Sequence, residues 1–118
     1  MPARLRPADP VAVHEALARV VDGTAERAEL RLLTKHFLAL LEARAPGRSV
    51  EVRVPPYAAI QCVEGVRHTR GTPPAVVETD AETWIAVATG RLAWLDAVAD
   101  GLVTASGERT DLTPYLPL

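Results

Sequence analysis

Few side chains in this sequence are equipped for chemistry. Cys62 is the single cysteine, and His14, His36 and His68 are the three histidines. Cys62 and His68 could in principle form a nucleophile and its base, because a thiol needs an imidazole or a cation nearby to ionise at neutral pH. Cys62, however, lines up with Ala58 and Ile60 on what reads as the apolar face of a strand. A thiol buried there holds its proton and stays inert. Ser49 and Ser106 lack the glycine-flanked strand-turn-helix setting of an activated serine. The histidines stand at no metal-ligand spacing, with no His-x-x-x-His and no Cys-x-x-Cys in the chain, so neither a metal nor a catalytic set is expected. His14 and His36 fall on helix faces away from the apolar stripes, which reads as a solvated role for both. His68 opens a different kind of segment, His68-Thr69-Arg70-Gly71-Thr72-Pro73-Pro74. Its positive head and Gly-Thr turn could hold a carboxylate or phosphate through Arg70 and backbone donors, while its paired prolines equally suit a purely architectural loop. Trp84 and Trp94 are large apolar groups with one polar handle each, suited to core packing or to lining a ligand cavity.

Elements must position these residues, and the composition limits which elements are available. The chain has 118 residues, 13 basic and 15 acidic side chains, and a formal charge of −2. That is one domain over residues 1–118, long enough for a real core without disulfides. The 48% hydrophobic share with only 4% aromatic residues makes that core aliphatic. With acid slightly ahead of base and no basic block, no nucleic-acid partner is expected. No apolar run approaches a membrane span, and the first ten residues lack the apolar stretch of a signal peptide. The expected location is the cytoplasm.

Two helices are expected in residues 1–47. Asp9-Pro10 reads as a start, with Val13, Ala16, Leu17, Val20 and Val21 as the apolar stripe, Glu15 and Arg19 as an exposed pair, and Gly23 as the stop. Thr24 reads as the cap of a longer helix running to about Ala45, with Leu30, Leu33, Phe37, Leu40 and Leu41 on one face and Pro46-Gly47 as its end. Leu32 and Ala39 on the opposite side suggest a second, smaller contact surface that could meet a partner chain. The period then becomes two. Val50, Val52 and Val54 alternate with Ser49, Glu51 and Arg53, and Ala58, Ile60 and Cys62 alternate with Tyr57, Ala59 and Gln61, which predicts two half-buried strands, the first closed by Pro55-Pro56 and the second by a Glu64-Gly65 turn. Ala75 to Thr79 is a third strand. Asp80 caps a helix ending at Gly90, and Arg91 to Asp100 forms another with Leu92, Leu95, Val98 and Ala99 inward. Leu102 to Ala105 is a strand, and Asp111 starts a last turn. This order predicts an α+β domain. Strands separated by helices require a crossover, so the sheet is expected to be mixed.

Asp80-x-x-Thr83-Trp84, the closing Gly90, the helix after it, the run Gly101-Leu102-Val103-Thr104-Ala105-Ser106-Gly107 and the leucine-rich end resemble the C-terminal half of sterol carrier protein type 2 domains. The stretch from Arg53 to Cys62, with His68 to Pro74, is similar to the small stand-alone sterol carrier family proteins of actinobacteria. The resemblance implies a curved, mostly antiparallel sheet of about five strands with helices on one face. It also implies an apolar cavity that in relatives takes fatty acids, acyl-CoA or sterols without chemical change. On that basis the expected function is non-enzymatic binding of a small lipophilic ligand, with no cofactor. Val52, Val54, Ile60, Trp84, Leu95 and Leu116 are the expected lining, and His68 or Arg70 the contact for a polar head group. The alternative is a ligand-free module that dimerises or docks on a larger enzyme.

Overall fold

The structure, a computed structural model, describes residues 4–65 and 75–118. The first helix, α1 (Pro10–Asp22), starts where expected. The Asp9 carboxylate accepts the Ala12 N–H at 3.2 Å, and Gly23 closes the helix at φ 81°, a left-handed conformation that glycine adopts without steric cost. Val21 lies outside the stripe and is 66% exposed. Arg19 pairs with Glu29 at 3.3 Å instead of with Glu15, because the next helix folds back alongside.

That helix, α2 (Arg27–Arg44), begins later than the Thr24 cap would place it. The Asp22 carboxylate captures both the N–H and the hydroxyl of Thr24, so the cap passes to Glu26, whose N–H donates to the Glu29 carboxylate at 3.1 Å. Leu33, Phe37 and Leu41 are buried as the spacing predicts, joined by Thr34 and Leu38. Ala39 is also buried, and Leu32 is packed against the core. On that side the Ala8 N–H donates to His36 Nδ1 at 3.0 Å, so the segment before α1 packs beside this part of α2.

Four strands form the sheet among the described residues: β1 (Val50–Val54), β2 (Ala58–Cys62), β3 (Ala75–Thr79) and β4 (Val103–Ser106), in the order β2-β1-β3-β4. β1 pairs antiparallel with β2 and parallel with β3, and β3 pairs antiparallel with β4. The sheet is mixed, as expected, but the parallel junction lies between β1 and β3 and not at the strand that follows the helices. Valines 50, 52 and 54, Ile60, Cys62 and Val77 are buried on one face, while Arg53, Gln61, Glu78 and Thr104 turn to solvent on the other. The period-2 pattern therefore assigned both faces correctly.

Between β3 and β4 lie α3 (Ala81–Ala88) and α4 (Trp94–Ala99). Asp80 caps α3 by accepting from the Thr83 N–H at 2.7 Å and its hydroxyl at 3.1 Å. α4 is shorter than the sequence suggests and rotated. Trp94 and Ala97 point inward, and Leu95 is 64% exposed with Val98 and Ala99 also outward. An indole buries more apolar area than a leucine side chain, and once Trp94 takes the inward position, Ala97 three residues on follows it. The chain ends in a 3₁₀ turn (Thr113–Tyr115) and a segment tied down at both sides. Leu118 N–H donates to the Ala88 carbonyl at 2.8 Å, and the Arg44 guanidinium donates to the carbonyls of Tyr115 and Pro117 at 3.0 and 2.7 Å.

Candidate functional site

The layer between helices and sheet is built on one register. Val52 stands opposite Ile60 on β2 and opposite Val77 on β3, and hydrophobic side chains of α2 and α3 pack over that row. Val52, Val54 and Trp84 are 0% exposed. They have no contact with solvent and belong to the buried core. The Trp84 indole N–H donates to the Thr34 carbonyl at 3.3 Å, which satisfies its polar end and joins α3 to α2. The Thr34 hydroxyl is different. It is buried with no hydrogen-bond partner among the described residues, an unsatisfied polar group inside an otherwise aliphatic layer.

This layer meets the surface along β2, an outer strand of the sheet. A groove of about 520 Å³ runs there. Ile60, Ala59 and Gln61 of β2 and Glu51 of β1 form one wall. Glu42, Pro46, Gly47 and Arg48, from the end of α2 and the turn after it, form another, and Arg4 and Leu5 of the N-terminal segment close the third side. Ile60, 6% exposed, belongs both to the core and to this groove. The turn is held rigidly. Val63 has φ 65°, an outlier for a β-branched residue. It is fixed by donating its N–H to the Ala45 carbonyl at 2.7 Å and by accepting from the Ser49 N–H at 3.1 Å. Gly47 passes so close that a Cβ there would stand 2.2 Å from the Val63 oxygen, which is why the stop signal after α2 must contain glycine.

A family model described as a bacterial SCP ortholog matches residues 26–118. The chain belongs to this bacterial SCP ortholog family. No curated protein matches it. In this SCP-family chain the match starts at the Glu26 cap of α2 and takes in every strand and the C-terminal segment, leaving α1 before it. The α+β architecture with a mixed four-stranded sheet agrees with the family.

The expected lining residues divide into three groups. Val52, Val54, Ile60 and Trp84 come together in one layer. Leu116 is half-buried in the C-terminal segment. Leu95 is turned to solvent, a correction that follows from the rotation of α4. His68 and Arg70, with the rest of their loop through Pro74, lie outside the described residues. Sequence reasoning missed Leu5 and the Pro46–Arg48 turn as groove walls. The Pro46-Gly47 pair was legible as a helix stop, but nothing in the local pattern showed that β2 would pass against it.

Cys62 is buried, and that burial, with the Glu42 carboxylate adding to it, pushes the thiol up to about 12. His14 is exposed, whereas His36 is half-buried, and burial lowers its pKa below the ordinary histidine value. It is a neutral acceptor for Ala8 and not the solvated side chain the sequence suggested. Among the described residues no group of histidine, cysteine and carboxylate side chains is placed to hold a metal, and no helix is long and apolar enough to cross a membrane.

Proposed function

We propose that this SCP-family protein binds a small lipophilic ligand, of the fatty acid, acyl-CoA or sterol-like kind, and releases it chemically unchanged. The observation that carries this reading is the position of Ile60, at once in the aliphatic layer and in the wall of the β2 groove. An apolar chain seated in the groove contacts Ile60 and Leu5, and each Å² it removes from water stabilises the complex by about 25 cal/mol. The groove volume falls within the range of roughly 300–1,000 Å³ usual for small-molecule sites. Arg4 gives its rim a cation for an anionic head group, beside Glu42 and Glu51. The orphaned Thr34 hydroxyl offers a deeper polar contact for a ligand that parts α2 from the sheet. The raised pKa of Cys62 supports a role without chemistry. The test is uptake of a fluorescent fatty acid: Leu5→Asp and Ile60→Asp should each abolish it in protein whose circular dichroism is unchanged, and undiminished uptake in both would remove the groove.

A second reading, a ligand-free module that docks on another protein or a second copy, is favoured by the zero exposure of Val52, Val54 and Trp84, three of the residues expected to line a cavity. Sedimentation equilibrium separates the two: a mass that rises with concentration, together with no fatty-acid uptake, favours the module.

A further inference from the structure

Arg27, Arg31 and Lys35 stand four residues apart on α2, which places them along one face of the helix. Like charges at that spacing weaken a helix, and Arg27 adds a cation at the first turn, where the helix dipole disfavours it. Among the described residues neither these three nor Arg6 has an ion-pair or hydrogen-bond partner. Helix stability therefore gives no reason for the row. The chain as a whole is acidic, at −2, so composition gives none either.

The row borders a concavity. A groove of about 390 Å³ is lined by Arg6, Arg31, Lys35 and His36, with Leu32 and the alanines 8 and 28 as its apolar part and no carboxylate in its lining. His36 Nδ1 accepts the Ala8 N–H at 3.0 Å, so that nitrogen carries no proton and the neutral ring has its N–H at Nε2, a further donor. An adjoining groove of about 610 Å³ shares Ala28 and Arg31 and adds Arg27 and Tyr57. Three permanent cations and an imidazole N–H around one small hollow exceed what a single carboxylate needs and suit a dianion, and arginine's planar fork matches phosphate oxygens in pairs.

We propose that this groove is a binding site for an organic phosphate, with the phosphate against Arg6, Arg31 and Lys35 and a compact apolar portion against Leu32. The same phosphomonoester chemistry is offered by a free ester and by the head group of phosphatidic acid. This site shares no lining residue with the β2 groove, so it stands or falls independently of the lipophilic ligand. The experiment is an amide NMR titration of the full chain with phenyl phosphate at low salt, followed by inorganic phosphate and by vesicles. Saturable shifts at Ala8, Arg31, Leu32, Lys35 and His36 are expected. Inorganic phosphate should bind at least threefold more weakly. Arg31→Gln with Lys35→Gln should lower phenyl phosphate affinity at least tenfold while the melting temperature holds or rises, since a repulsion is removed. Phosphatidic acid vesicles that bind the protein and release it on addition of phenyl phosphate assign the head group. Binding of phenyl phosphate without vesicle binding assigns the free ester. No shifts, shifts that persist in the double variant, or vesicle binding that saturating phenyl phosphate leaves in place would overturn the site.

Discussion

Two buried polar side chains carry the most information at the scale of single residues. Cys62 keeps its proton because the apolar layer around it cannot stabilise a thiolate, and Glu42 adds repulsion in the same direction. Alkylation by iodoacetamide should therefore be slow in the native protein at pH 8 and fast in urea. Its native rate should also keep climbing through pH 9, where an ordinary thiol levels off, because the folded pKa lies near 12. Rapid native labelling that plateaus near pH 9 would contradict the burial and reopen a catalytic role. Thr34 presents the opposite case, a hydroxyl with no partner among the described residues. Thr34→Val preserves its shape and deletes the orphan, so stability should rise by about 1 kcal/mol in urea unfolding. A loss of that size would mean the hydroxyl has a partner after all. The inertness of Cys62 was legible from its place in an alternating strand. The orphaned Thr34 was not, because its burial depends on α3 arriving from fifty residues away to place Trp84 against it.

Elements whose ends carry their own chemistry were read well, and those fixed by competition were not. Asp9-Pro10 and Asp80 each cap their helix with a carboxylate that has no rival for the backbone N–H groups it accepts. At Thr24 the hydroxyl is turned back to donate to Asp22, and the Glu26 N–H goes to the Glu29 carboxylate, so Glu26 becomes the cap and the helix starts at Arg27. α4 failed for a related reason: periodicity counted four aliphatic positions and ignored the size of Trp94, whose burial sets the phase and leaves Leu95 outside. The Asp80 cap gives a direct check. Asp80→Ala removes acceptors for the Thr83 N–H and hydroxyl and should cost about 1 kcal/mol, read as a lower urea midpoint with an unchanged slope. No change in midpoint would show that α3 is held by Trp84 and Ile85 alone.

At the scale of the whole molecule, the α+β class, the alternation of both sheet faces and the family were legible in the sequence, and the meeting places between distant segments were not. The β2 groove needs the N-terminal Leu5, the turn at Gly47 and the edge strand to converge, and no local pattern encodes that. The extent of any void behind it is equally hidden from the sequence, since aliphatic composition is the same whether valines enclose a void or touch each other. Val52, Val54 and Trp84 are fully buried while Ile60 reaches the groove, so under the proposed function Ile60 is where a guest would first meet the core. Native mass spectrometry of the protein mixed with palmitate, beside Leu5→Asp, reads this most directly. A one-to-one adduct in the wild type that disappears in the variant is the predicted result. An adduct of equal intensity in both, or none in either, would contradict it.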